Sequence, residues 1–217
     1  MKEKKVKHIA KYILIGISIL VVFSFFNSFR ELFYLHQFEN RIEDENIDPT
    51  TGEEYSTERK LDYFYKPRIR RLIVNNPNKA LKYIDSIIEL YPESNFLHFD
   101  KGMAFYEIDS FQKAIKEFDK VIEYENEPHI SALIYKNDCL MQLNRYDESL
   151  DVLFKLVEFN ENYYVEIAQV YEWKKDYSNS IENYKKVLSI WENSEDKDRL
   201  SIEIKNVKEK IEKLEKK

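Results

Sequence analysis

Histidine, cysteine and carboxylate side chains are the first residues to test for catalysis or metal binding. The four histidines are His8, His36, His98 and His129, and no two have the spacing of ligands on one helix face. The single cysteine, Cys139, excludes a disulfide within the chain, and a free cysteine is usually buried and inert. The sequence contains neither a glycine-rich phosphate loop nor a nucleophile motif. We therefore predict no enzymatic activity, no cofactor and no metal site.

A short acidic segment has the alternate spacing of a calcium-binding loop. Asp44, Asn46 and Asp48 occupy every second position, as the first ligands of such a loop do. Pro49 then stands where the loop requires glycine, and its last position lacks the required glutamate. Because residues 43–58 hold seven carboxylates, one proline and one glycine, we predict an acidic linker and no cation site.

The composition indicates an all-α protein. The 217 residues include three glycines and five prolines, and no run of strand length alternates apolar with polar residues. Lysine, glutamate, leucine, isoleucine and tyrosine are instead abundant at helical spacing.

The net charge of −6 includes +4 from residues 1–11, which leaves −10 for residues 12–217. A portion this acidic repels phosphate, so we predict no nucleic-acid partner.

The segment from Tyr12 to Phe29 has the properties of a membrane span. Its 18 residues carry no charge, and twelve of them are leucine, isoleucine, valine or phenylalanine. At about 1.5 Å per residue, a helix of this length reaches about 27 Å, close to the thickness of a hydrocarbon core. We predict an uncleaved transmembrane helix over residues 12–29. A cleaved signal peptide is the competing interpretation, and it would require small residues at a cleavage site.

The charges that flank this span predict its orientation. Residues 1–11 contain five lysines and form a basic tail that is retained in the cytoplasm. The remainder of the chain then lies outside the cytoplasm, and we expect the membrane to be a bacterial inner membrane. Residues 30–60 combine a short juxtamembrane helix with the acidic linker.

A pattern of small residues recurs through the rest of the chain. One small side chain occupies an equivalent slot in each of four copies, and the steps between copies are 34, 35 and 31 residues: Ala80, Ala114, Ser149 and Ser180. The slot seven places later is always aliphatic: Ile87, Val121, Leu156 and Val187. The second copy, from Phe96 to Tyr124, consists of two amphipathic helices joined by a turn at Asp109 and Ser110.

This pattern resembles the tetratricopeptide repeat, a helix-turn-helix unit with a 34-residue period. The resemblance covers residues 61–195 and implies an α-solenoid with three clear copies and one degenerate copy. The first copy departs from the pattern because Pro67 interrupts its first helix, and the third because Asn137 takes the usual glycine slot. Residues 196–217 are predicted to form a C-terminal capping helix with a narrow apolar stripe. A coiled-coil partner helix is the competing interpretation of that segment.

The resemblance also implies where partners bind. By similarity, certain positions of each first helix line the concave side of the solenoid, where a protein or peptide partner would lie. These positions hold Phe96, Phe99, Met103 and Tyr106 in copy two, Ile134, Asp138 and Met141 in copy three, and Gln169, Glu172 and Trp173 in copy four. Aromatic anchors of this kind suit an amphipathic helix or an extended apolar peptide. The competing interpretation is that these side chains pack against neighbouring helices as ordinary core.

The sequence thus predicts a membrane-anchored adaptor or scaffold that binds protein partners on the extracytoplasmic side, in envelope or secretory assembly. The alternative is a structural subunit of a self-associating or permanent membrane complex.

Overall fold

A computed structural model describes residues 56, 60–124 and 129–217 of the chain. The predicted basic tail, transmembrane helix and nearly all of the linker lie outside these residues. Within the described ranges, no helix is both long enough and apolar enough to cross a membrane. Residues 68–217 form one compact unit.

The described residues are helical, with a π-helical turn at Leu61–Tyr65 and a 3₁₀ turn at Glu161–Tyr163. The α-helices are α1 (Lys66–Asn75), α2 (Pro77–Ile88), α3 (Asn95–Tyr106), α4 (Phe111–Tyr124), α5 (Ile130–Gln142), α6 (Tyr146–Val157), α7 (Tyr164–Trp173), α8 (Tyr177–Glu192) and α9 (Ser201–Leu214). No β-strand occurs in these ranges. From α2 onward, each helix packs mainly against the helices that precede and follow it in the chain. This arrangement confirms the predicted all-α solenoid of helix-turn-helix repeats.

The recurring small residues are buried in the second helix of each copy. Ala80, Ala114, Ser149 and Ser180 all have a relative exposure of 0 %. The aliphatic residue seven positions later in each copy is also buried. The spacing identified in the sequence therefore follows the buried positions of the second helix in all four copies. In the first copy, Pro67 is the second residue of α1.

The position on the first helix that contacts the second helix differs between copies two and three. In copy two it is Gly102, where an added Cβ would lie 2.5 Å from the Phe118 ring. In copy three it is Asn137, which accepts a hydrogen bond from the Ser149 hydroxyl at 2.6 Å. The departure at Asn137 is therefore matched by a serine on the partner helix, and the pair replaces the glycine–aromatic contact with a buried hydrogen bond.

Three of the turns within repeats end the first helix with the same backbone hydrogen bond. Asp109, Asn144 and Lys175 adopt positive φ angles of 55°, 55° and 60°. In each case the next residue donates its N–H to the carbonyl five residues earlier, at 2.9 Å, as in a Schellman motif. The second helix then begins one residue later with an aromatic side chain, at Phe111, Tyr146 or Tyr177.

The last helix, α9, covers the apolar side of α8. Its buried residues are Ile204, Val207, Ile211 and Leu214, and they form one core cluster with Tyr184, Val187 and Trp191 of α8. The indole N–H of Trp191 donates to the Asn162 side chain at 2.7 Å and so connects α8 to the 3₁₀ turn before α7.

Candidate protein-binding site

The predicted residues of copy two contact the protein core. The Phe99 ring lies 5.8 Å from the Phe118 ring and 6.0 Å from the Tyr135 ring, measured between centroids. Tyr106 contacts Tyr135 edge-on at 5.5 Å. Met103 is half-buried against the same cluster, and Phe96 is half-buried as well. Much of the surface of these aromatic side chains is therefore used to join α3 to α4 and α5.

The predicted residues of copy three are of two kinds. Ile134 and Met141 pack against the same core cluster. Asp138 is half-buried and forms no ion pair within the described residues. Burial raises the pKa of the Asp138 carboxyl, and burial followed by the charge of Asp138 raises the pKa of Tyr106. Cys139 is fully buried, which raises the pKa of its thiol to about 12 and leaves it unreactive at neutral pH.

The three predicted residues of copy four lie together in a cavity. Gln169, Glu172 and Trp173, with Val165, form one wall on α7, and Tyr184 of α8 also lines the cavity. The opposite wall belongs to α9 and contains Asn206, Val207 and Lys210. The volume is about 580 Å³, within the range of ligand-binding clefts. We refer to this site as the α7–α9 cavity.

A polar network joins the two walls of the α7–α9 cavity. The Tyr184 hydroxyl donates to Oε1 of Glu172 at 2.8 Å, and Nζ of Lys210 lies 3.1 Å from Oε2 of the same carboxylate. Burial, followed by the hydrogen bond to Glu172, raises the pKa of Tyr184, so this hydroxyl stays protonated and continues to donate. Both oxygens of Glu172 thus have partners.

Trp173 forms an apolar surface at the cavity. Its side chain is 54 % exposed, and the ring stacks on Tyr146 at a centroid distance of 6.4 Å and an interplanar angle of 18°. Lys174, the next residue, forms an ion pair with Asp147 of α6. These contacts fix the end of α7 against α6 and leave much of the indole available to a partner.

Only residues on the α7 wall of the cavity were among those predicted from the sequence. The C-terminal segment was predicted to form a cap, so Asn206, Val207 and Lys210 were not among the predicted residues. The signal that could have found them is the position of Asn206 and Lys210, which flank the apolar stripe of α9 at Val207. That the ten predicted residues bind a partner stays a prediction.

A second group of polar residues surrounds Glu117 of α4, whose exposure is 7 %. His98 Nδ1 lies 2.8 Å from Oε2 of Glu117, Lys120 Nζ lies 3.0 Å from the same oxygen, and Lys101 Nζ lies 3.7 Å from Oε1. Burial by itself raises the pKa of Glu117, but the hydrogen bonds from His98 and Lys120 and the charge of Lys101 lower it overall. No group of three or more potential metal ligands occurs in the part of the chain that the structure describes.

Comparisons with known proteins agree with this architecture. Residues 161–193, which include α7, α8 and every cavity residue that these two helices contribute, match the tetratricopeptide repeat family. No curated protein sequence matches the chain.

Solved structures show the same fold. MamA from Desulfovibrio magneticus RS-1, from residue 41 to its end, is 20 % identical, with a TM-score of 0.52 over 70 % of this chain and 93 % of that one. YrrB, described as a TPR protein with an unusual peptide-binding site, is 17 % identical, with a TM-score of 0.52 over 70 % of this chain and 73 % of that one. The described chain therefore has a tetratricopeptide-like solenoid fold.

Proposed function

We propose that this protein is a single-pass membrane scaffold whose tetratricopeptide-like repeats bind protein partners outside the cytoplasm. The observation that carries the proposal is the α7–α9 cavity, because it is an open site on the repeat surface with an exposed tryptophan at its wall. Exposed aromatic side chains in partly desolvated clefts are the usual anchors of protein interfaces. The peptide-binding site named for YrrB is a precedent for this role on the same fold.

The membrane part of the proposal rests on the sequence. The uncharged run at residues 12–29 and the five lysines before it support an anchor with a cytoplasmic amino end. We propose that the repeats act without catalysis, by holding partners near the membrane during assembly of envelope or secretory proteins.

Site-specific photocrosslinking in living cells tests the binding role. A benzophenone amino acid placed at Gln169, in the cavity, should capture a protein partner. The same group placed at Phe154, which is exposed on α6 away from the cavity, should capture much less. Equal products from both positions, or none from Gln169, would contradict the proposal. A product formed with a second copy of this chain would instead favour a self-associating structural subunit.

A further inference from the structure

One stretch of the chain is strongly basic although the chain as a whole is acidic. Residues 63–84 contain six lysines and arginines and no carboxylate, in a chain with a net charge of −6. The nearest acidic residue on the C-terminal side, Asp85, pairs with Lys101 of α3 at 2.7 Å. The stretch therefore contains no carboxylate of its own to neutralise it, and the first one beyond it is already paired.

Part of this positive charge lies on the exposed face of α1. Ile69 and Ile73 are buried on the opposite face of the helix, whereas Arg70, Arg71 and Val74 are exposed. Val74 follows Arg70 by four residues and Arg71 by three, so the three residues share one helical surface. We refer to these three residues as the α1 basic face. Val74 is 81 % exposed, more than any other large hydrophobic residue in the described part of the chain.

The fold uses a neighbouring arginine but leaves the α1 basic face without ionic partners. The Arg68 guanidinium lies over the Tyr83 ring of α2, 4.7 Å from the ring centroid, and so joins the two helices. Arg70 and Arg71 form no ion pair within the described residues. Lys82, exposed on α2, forms none there either. The α1 basic face is therefore complementary to a partner that is anionic and also accepts an apolar side chain.

A bilayer surface that contains anionic lipids has both properties. Its phosphate groups accept bidentate hydrogen bonds from arginine. The boundary between headgroups and acyl chains accepts an apolar side chain such as Val74. A free phosphate ion would satisfy the arginines but would gain nothing from the valine. Each lysine or arginine close to an anionic membrane surface strengthens binding about fivefold.

The proposed anchor would keep such a surface within reach of the α1 basic face. Residues 30–69 connect the predicted span to Arg70. A connection of this length extends to at most about 130 to 145 Å, so the bilayer that holds the anchor is always accessible. Because the two are tethered, docking requires only a weak intrinsic affinity.

We propose that the α1 basic face docks on the anionic lipid headgroups of the membrane that holds the anchor. Arg70 and Arg71 contact the lipid phosphates, and Val74 enters the edge of the acyl layer. The proposal rests on the anchor in the proposed function and adds a lipid partner to it. The first copy of the repeat thereby has a role separate from protein binding at the α7–α9 cavity.

Fluorescence quenching in lipid nanodiscs tests the proposal with the full-length chain. Asn75→Cys places a reactive thiol beside the α1 basic face, and the native Cys139 is fully buried and stays unlabelled. The nanodisc lipids carry a quencher at the headgroup, with or without about 30 % phosphatidylglycerol. Quenching at position 75 should rise with the anionic lipid, and much less at Gln142→Cys, an exposed position on α5. Salt at about 1 M shortens the Debye length to about 3 Å and should abolish the rise.

Substitutions in the α1 basic face identify the groups responsible. The double variant Arg70→Gln, Arg71→Gln should lower the docking constant about 10- to 30-fold, and Val74→Ser about 3- to 10-fold. Replacing both arginines with lysine retains the charges and should keep the constant within about threefold of wild type. The matched control is Lys116→Gln with Lys155→Gln, which removes two exposed cations on α4 and α6 and should change docking less than about twofold.

Equal quenching in neutral and anionic nanodiscs, quenching that survives high salt, or equal docking of the wild type and the double glutamine variant would overturn the proposal. Quenching that appears only after the carboxylates of residues 43–58 are changed to amides would also overturn it, because the acidic linker would then be the occupant. A partner crosslinked at Gln169 in cells would still support the scaffold in each of these cases.

Failure of the anchor has a different signature. A chain that does not stay in uncharged nanodiscs would refute the membrane part of the proposed function. The same variants would then be compared for sedimentation with vesicles of the two lipid compositions. Weaker binding of the double glutamine variant to the anionic vesicles would still support the α1 basic face as a lipid site, and equal binding would overturn it.

Discussion

At the residue scale, the two serines in equivalent slots of copies three and four have different surroundings. The Ser149 hydroxyl donates to Asn137 at 2.6 Å. The Ser180 hydroxyl is buried without a hydrogen-bond partner, and the position of its copy that corresponds to Asn137 holds Ala168, which has no polar side chain. The same chemical group therefore has opposite energetic consequences in two neighbouring repeats.

Replacing each serine with alanine should expose this difference. Ser149→Ala leaves the buried Asn137 oxygen without its donor, and we expect a loss of about 1 to 3 kcal/mol in unfolding free energy. Ser180→Ala removes a polar atom that is already unpaired, so stability should be unchanged or rise by up to about 1 kcal/mol. Chemical denaturation followed by circular dichroism measures both. Equal losses from the two substitutions would contradict the assignment of the hydrogen bond.

The buried carboxylate of Glu117 should make stability depend on pH. Its pKa is lowered from the ordinary value of 4.5, so its ionised form stabilises the fold above that pH, and the contribution is lost as pH falls through the lowered value. At pH 7, Glu117→Gln should cost about 1 to 3 kcal/mol, since hydrogen bonds to a charged group are lost.

The difference in unfolding free energy between wild type and Glu117→Gln should shrink steadily below pH 4.5. Glu123→Gln, an exposed site on the same helix, is the control and should show a much smaller effect. A Glu117→Gln difference that stays constant between pH 7 and pH 3 would show that the carboxylate does not carry this stabilisation.

At the element scale, three turns share one backbone geometry, but the residues at their positive-φ positions are not equally suited to that conformation. Asparagine and aspartate tolerate a positive φ because their short polar side chains bond locally, and Asn144 and Asp109 are of this type. Lys175 at φ 60° has no such compensation. The chain therefore retains backbone strain in the turn between α7 and α8.

Lys175→Gly should relieve that strain. Glycine adopts positive φ without steric cost, and we expect a gain of about 0.5 to 1 kcal/mol after allowing for its greater freedom in the unfolded chain. Asn144→Gly should gain less, since asparagine already suits the turn. Thermal unfolding of the two variants would compare them, and a larger gain at Asn144 would contradict the argument.

Parts of these elements could be predicted from the sequence, and parts could not. The small residues at Ala114 and Ser149 and the turn at Asp109 were readable because steric contacts and backbone geometry restrict the residue types directly. The contacts of Phe99 and Tyr106 with the protein core could not be predicted, because an aromatic residue at a given helical position can pack equally well against a partner or against a neighbouring helix. The wall formed by α9 depends on how two helices distant in sequence approach each other, which no local pattern encodes.

At the scale of the whole molecule, the proposed anchor determines which compartment contains the α7–α9 cavity. The lysines in residues 1–11 predict that the amino end is cytoplasmic and that the repeats are outside. In cells with a permeabilised outer layer, added protease should therefore degrade the repeats while a cytoplasmic control protein stays intact. Repeats that become sensitive only after the inner membrane is opened would reverse the proposed orientation.

The two indoles differ in surroundings, and this gives the molecule an optical signal of its own. Trp191 is 9 % exposed and hydrogen-bonded to Asn162, whereas Trp173 is 54 % exposed at the wall of the cavity. A small polar quencher in solution should therefore reduce the emission of Trp173 first and shift the remaining spectrum toward the blue. An occupant of the cavity would shield Trp173, so the arrival of a natural partner could be followed without attaching any label to the chain.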